Sequence, residues 1–168
     1  KNHLSGEPEI FIQDQSNAIY LFNKLGKRLF KAEIAEPIES RPIQVDAFKN
    51  GKLQYIFNTK NFIYLVDRDG NNVADFPIEL AAAAITKLAV FDYDKDKDYR
   101  LLITCENKRI YNYTIKGKKV NGWKHNRASD PTIHPFKFLT VSGKDYLVTG
   151  ESSGKIHLLD RAGKNRVK

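Results

Sequence analysis

The chain has 168 residues, of which 41% are hydrophobic and 29% charged, the make-up of an ordinary globular domain with a real core. No stretch approaches the roughly 18 uninterrupted apolar residues that a membrane-spanning helix needs. A net charge of +8 would suit a nucleic-acid surface, but the lysines are spread through turns (NKLGKR, IKGKKV, RAGKNR), so solvated turn charge is favoured and nucleic-acid binding disfavoured. The single cysteine, Cys105, excludes an intrachain disulfide and a multi-cysteine metal site. Its apolar run LLITC predicts a buried strand thiol rather than a nucleophile.

The chain opens KNHLSGEPEIFIQ and contains no methionine, so it reads as an excised or processed piece, with any signal peptide outside it. The first predicted strand is EIFIQDQ (9–15), followed by AIYLFNKLGKRLF from Ala18. PIQVDAF (42–48) leads through KNGK into LQYIFNT (53–59). A tight turn gives FIYLVD (62–67), and RDGN then turns into NVADFPI (72–78). Val, Ile, Phe and Tyr dominate these short runs, and Gly, Asn, Asp and Lys bound them. Asn50-Gly51 and Asp69-Gly70 supply the positive φ that hairpin turns require. LAAAA (80–84) is the only helix-friendly stretch, and it is too short to nucleate alone. AVFDYDKDKDYRLLITC, RIYNYTIKGKKVNGW, DYLVTG and KIHLLDRAGKNRV continue the strand pattern.

The turn glycines Gly26, Gly70, Gly117 and Gly163 are 44, 47 and 46 residues apart. The pairs Ile19-Tyr20, Ile63-Tyr64, Ile110-Tyr111 and Ile156-His157 keep the same three spacings. About four antiparallel strands repeated every 40–50 residues is the signature of a β-propeller blade. The runs LQYIF, RLLITC and DYLVTG are apolar on both faces, as sheets sandwiched between neighbouring sheets require. The expected fold is therefore all-β, a β-propeller of about four four-stranded antiparallel blades in one domain, over 1–34, 35–80, 81–125 and 126–168. A solenoid of β-hairpins is the competing architecture. The register enters at a second strand and stops in a fourth, which predicts an incomplete ring or a fragment of a larger propeller. Its open blade edges would favour self-association.

YIFNTKNFIYLVDRDGNNVADFPIEL resembles a quinoprotein-like propeller repeat, in which a strand pair ends in an LxDxxG turn, and LLDRAG repeats that turn. AVFDYDKDKDYRLLITCENKRIYNY is similar to the FG-GAP and integrin-like bacterial repeat, with its aspartate-rich turn. The resemblance covers essentially the whole chain and implies a bacterial, exported or cell-envelope setting. It identifies a scaffold, not an activity.

Asp92, Asp94, Asp96 and Asp98 alternate as calcium ligands do. However, an EF-hand glycine is replaced by Lys97, and the closing carboxylate by Ile103 or, in the shorter propeller version, Arg100. The favoured reading is a self-neutralised turn, with Ca2+ as the alternative and no other cofactor expected. Counted from Val45 to Leu53 and from Val90 to Arg100, this turn is two residues longer than its counterpart. GESSGK (150–155) has three residues between its glycines where a phosphate-binding loop has four, and the strand IHLL follows, so it reads as a hairpin turn. His3, His125, His134 and His157 lack metal-ligand spacing, and Ser152 and Ser153 lie outside any nucleophile elbow. Trp123 reads as packing, with a ligand contact as the alternative. The loops at one end gather Arg41, Lys60, Lys108, Arg109, His125 and Arg127 into an expected partner-binding rim. The reading of function is a non-catalytic binding or scaffold module for a protein or carbohydrate partner. The alternatives are part of a quinone-cofactor dehydrogenase or a calcium-stabilised adhesion-type module.

Overall fold

A computed structural model describes residues 1–167. The regular structure among them is β-strand, in four antiparallel sheets. Two compact units hold two sheets each, Lys1–Glu79 and Leu80–Lys168.

In the first unit, β1 (Glu9–Gln13), β2 (Ala18–Asn23) and β3 (Arg28–Glu33) form one meander. β4 (Ile43–Val45), β5 (Gln54–Asn58), β6 (Phe62–Val66) and β7 (Ile78–Glu79) form the next. The alternation of side chains decides which face is buried. Phe11, Ile19, Leu21 and Phe30 meet Tyr55, Phe57, Tyr64 and Val66 of the second sheet in a single cluster. Aromatic rings fill this layer, with Phe11 5.0 Å from Tyr55 and Phe57 stacked on Tyr64 at 5.4 Å. β5 is buried at every position, which is why it reads as continuous rather than alternating.

The second unit repeats the plan. β8 (Ala89–Phe91), β9 (Arg100–Thr104) and β10 (Ile110–Thr114) form one sheet, and β11 (Lys137–Val141), β12 (Lys144–Gly150) and β13 (Ile156–Leu159) the other. Ala89, Leu102, Ile110 and Trp123 pack with Phe136, Leu147 and Leu159 in its core. LAAAA (80–84) forms no helix. Ala84 bridges Cys105, and Ala83 O accepts from Glu106 N, so the stretch is consumed in side-by-side pairing.

Three of the four sheets have three strands rather than four. NVADFPI and KVNGW, expected as outer strands, meet their neighbours mainly at bridges such as Val66↔Asn72 and Tyr113↔Lys119, and only Ile78 of the former enters a strand, β7. The reason is local. Asp75 (φ 67°) and Gly122 (φ 76°) turn the chain out of the extended region, and the aromatic that follows, Phe76 or Trp123, is buried.

The repeat glycines belong to one turn made four times. Asn23, Asp67, Thr114 and Asp160 each accept from the glycine N–H three residues on, and each donates to the carbonyl four residues on (Lys27, Asn71, Lys118, Lys164). Two of the glycines also touch a neighbouring sheet. A Cβ on Gly70 would lie 2.8 Å from Phe30, and one on Gly163 2.9 Å from Trp123 and 2.8 Å from the His125 backbone. Next to each glycine's turn an arginine reaches across as well. Arg68 clasps Glu9 through both carboxylate oxygens, and Arg161 clasps Asp94 at 2.7 and 2.8 Å while lying over Tyr93. Glu9 is almost fully buried. Burial pushes its carboxyl up, but hydrogen bonds from Arg68, Asn2 and Tyr55 outweigh this and hold it below the usual range.

The glycine contact can be separated from the glycine backbone. Gly26 has the same positive φ but open space where a Cβ would go. Gly26→Ala is expected to cost about 1 kcal/mol, and Gly163→Ala about 3 kcal/mol because ring and backbone must also move. Thermal denaturation of the two variants, read against the parent chain, checks the difference.

Candidate binding site

The aspartate loop resolves first. In the preceding sheet pair, Asp46 caps its own turn, accepting from Asn50 N at 3.0 Å and Gly51 N at 2.9 Å. Asp92 does the same with Asp96 N and Lys97 N at 3.0–3.2 Å. Even the strained positions coincide: Lys49 and Gly51 have positive φ, as do Lys95 and Lys97. The two loops are equal in length, because Val45 pairs with Gln54 and Phe91 with Arg100. The two-residue extension counted in the sequence came from a slip of one residue at each end: Val45 was matched with Val90 rather than Phe91, and Arg100 with Leu53 rather than Gln54. Strand pairing sets that register, and it is not visible in the one-dimensional pattern.

The remaining carboxylates are engaged elsewhere. Asp94 pairs with Arg161, and Asp96 accepts from Asp98 N. No group of three or more His, Cys, Asp or Glu side chains among the described residues is placed to hold a metal. Asp92 thus serves as the cap of its own turn, as Asp46 does in the loop of equal length.

GESSGK is a hairpin turn, closed by Glu151 N to Lys155 O and Gly154 N to Glu151 O. Its glutamate is buried, lies 2.8 Å from His157 Nε2, and accepts from Ser129 N and Asp130 N. The first sheet has the same arrangement, with Tyr20 donating to Asp14 at 2.7 Å. The Glu151–His157 pair is thus the repeat's own way of tying the turn to the strand. Burial pushes the Glu151 carboxyl up, but the hydrogen bonds from His157 and the two backbone amides prevail and keep it below the ordinary range. Cys105 is buried at the equivalent turn, and burial, with Glu106 nearby, pushes its thiol up to about 12.

The expected rim divides between the units. In the first, Arg41 and Lys60 are exposed. In the second, Lys108 donates to Ser129 O at 2.8 Å and lies 3.7 Å from Asp130. His125 leaves the rim: its ring packs 4.3 Å from that of His157, its Nε2 is buried without a partner, and burial plus His157 pushes it down to about 4. Arg109 and Arg127 are exposed and sit directly opposite each other in a β-bridge. Two like charges so placed repel unless an anion lies between them and the solvent.

A feature that motif searching missed lies beside them. Between its contacts at Val120 and Asn126, the outer segment leaves β10, opening a cavity of about 320 Å3. Arg109, Tyr111, Asn112, Lys119, Trp123 and Asn126 line it. The signal was present in the repeat alignment. Counting five residues back from each turn glycine gives Leu21, Leu65, Asn112 and Leu158. One repeat therefore places an amide where the others place leucine.

Two measurements follow. Unfolded histidine binds protons more readily than native His125, and native Glu151 binds them less readily than its unfolded counterpart. Both differences make stability fall as the pH is lowered, the histidine between 6.5 and about 4 and the glutamate from its ordinary 4.5 downward. His125→Gln is expected to flatten the upper part of that fall by about 2 kcal/mol, after allowance for solvent screening of a half-buried ring, in urea denaturation across pH. Calcium added to the chain is expected to give no heat and no shift in melting temperature, and either signal would mean the aspartate loop rearranges around the ion.

No family model matches the chain, and no curated protein matches it. Solved structures do. The N-terminal domain of BBS1, in a crystal structure with ARL6DN, aligns with a TM-score of 0.68 at 11% identity over 98% of this chain and 49% of that one. BamB from Moraxella catarrhalis aligns at 0.57 and 14%, over 95% and 52%. The Vibrio cholerae biofilm matrix protein Bap1 aligns at 0.50 and 13%, over 99% and 37%. The chain spans about half the length of the first two and less of the third. At such identities the likeness establishes the fold alone, and that fold is the β-propeller.

Proposed function

We propose that the chain is a non-catalytic β-propeller module that binds an acidic surface of a partner protein. The observation that carries the reading is the Arg109–Arg127 pair, two exposed arginines set opposite each other by a backbone bridge between loops of a rigid scaffold. An acidic partner would relieve their repulsion and gain bidentate hydrogen bonds from each. Four groups that motif reading singled out have structural engagements, which supports this reading. Glu151 and His157 tie a turn to a strand, the Cys105 thiol is buried and held protonated, and Asp92 caps its own loop. A protein partner is also in keeping with the structural neighbours, since the BBS1 domain was crystallised in a complex with ARL6DN.

The test begins with proximity labelling in the cells that encode the chain. Calorimetry with the purified partner then compares the parent chain with the double variant Arg109→Glu, Arg127→Glu. Binding is expected to weaken at least about tenfold in the variant, and also on raising salt. Unchanged affinity in the double variant would overturn the assignment of this pair.

A further inference from the structure

We infer that the open face of the last sheet (β11–β13) is a docking surface for the first sheet (β1–β3) of a second copy of this chain. The repeats themselves show how such faces meet. In the first unit Tyr64 and Val66, six and four places before Gly70, share a cluster with Ile19 and Leu21, seven and five places before Gly26. In the second unit Leu159, four places before Gly163, shares a cluster with Ile110, seven places before Gly117. Each sheet thus has a front, at even offsets from its glycine, and a back, at odd offsets. Within each unit the front of one sheet is laid on the back of the sheet before it.

Two faces of this kind stand open to solvent. On the front of the first sheet, Ile10 and Ile12 are 56% and 46% exposed, and they pair with Phe22 and Tyr20, whose rings stack. Pairing makes these four the counterparts of Tyr55, Phe57, Tyr64 and Val66, which the second sheet buries against the first. On the back of the last sheet, Leu139, Val141, Tyr146, Val148, Ile156 and Leu158 share one side, with Ile156 68% exposed. Val148, Ile156 and Leu158 are the counterparts of Phe11, Ile19 and Leu21, which pack in the core of the first unit. The turns repeat the message. Gly26 has open space where Gly70 lies on Phe30, and Val167, four places past Gly163 as Phe30 is past Gly26, is 57% exposed.

Apolar rows of this length on a sheet face call for a cover. The repeat pattern names the occupant, because the front that matches this back is the one a second copy carries. Front-to-front or back-to-back pairing would join positions that meet in neither unit. The contact is therefore made by faces, not by open strand edges, and it is heterologous, so it leaves one front and one back free until the copies close. Propellers close with about four to eight sheets, so two copies of four are the expected number. Each copy carries a net charge of +8, so salt strengthens the association by screening. That is the reverse of the arginine docking proposed above, of which this contact is independent.

Sedimentation of the whole chain across the micromolar range is expected to show one copy converting to two as concentration rises, more completely at high salt. Ile12→Lys on the front and Ile156→Lys on the back change exposed side chains, so the dilute, monomeric chain should keep its melting temperature in both. Each variant alone should stay monomeric at concentrations where the parent is dimeric. Mixed in equal amounts, the two should form a dimer again, because one brings an intact back and the other an intact front. That mixed dimer should be at least about tenfold weaker than the parent dimer, since only one of its two contacts is whole. A parent chain that stays monomeric, an association that salt weakens, a single variant that dimerises by itself, or a mixture that does not associate would each overturn the assignment.

Discussion

The structure depends on one recurring contact, a turn of one sheet laid against the aromatic side chain that ends the sheet before it. A single antiparallel meander of three or four short strands cannot bury enough apolar surface to be stable by itself, so each sheet must be covered by a neighbour. In the first unit Gly70 approaches Phe30, and in the second Gly163 approaches Trp123, so closely that no side chain fits between them. The same turns supply Arg68 and Arg161, whose guanidinium groups clasp carboxylates at Glu9 and Asp94. The dipeptide spacing that looks like a loose family marker is therefore a packing device. Glycine allows the close approach, aspartate caps the turn, and arginine spans to the adjoining sheet.

Within this frame the repeats are not interchangeable. The slot that joins the second-to-third-strand turn to the strand beyond it is filled by Asp14 with Tyr20 in one repeat and by Glu151 with His157 in another. The carboxylates then take different further donors, Asp14 from Ser16 and Ala18 of its own turn and Glu151 from the backbone of Ser129 and Asp130. In the third repeat, Asn112 breaks the rule by leaving its Oδ1 unmet. A scaffold built from near-identical units makes such a departure legible, because the sister repeats state what packing alone would choose. Polar substitution at a core position without internal compensation is where function is to be sought.

Much of this was legible in the residues. The glycine spacings, the repeated Ile-Tyr pairs and the short β-branched runs led to an all-β repeat fold, and Gly26, Gly70, Gly117 and Gly163 all sit in equivalent turns. GESSGK is the hairpin turn its odd spacing implied. Two expectations failed for identifiable reasons. NVADFPI and KVNGW have the composition of strands, but Asp75 and Gly122 adopt positive φ and send the next aromatic inward. The aspartate loop was miscounted by one residue at each end, because neighbours such as Val90 and Phe91, or Leu53 and Gln54, are distinguished only by strand pairing.

Sequence by itself determined the period, the strand-rich character and the turn chemistry, since these arise from interactions between residues close along the chain. Tertiary structure alone decided which polar groups find partners. Lys108 and His125 were both expected on the same cationic rim, yet one is anchored on Ser129 O while the other is turned against His157. Arg109 and Arg127 became neighbours only through a bridge between segments 18 residues apart. Asn112 and Trp123 share a cavity wall because the outer segment leaves β10 between them. Each of these outcomes depends on long-range geometry, and a hydrogen bond, unlike a hydrophobic preference, is either satisfied or lost over less than an ångström.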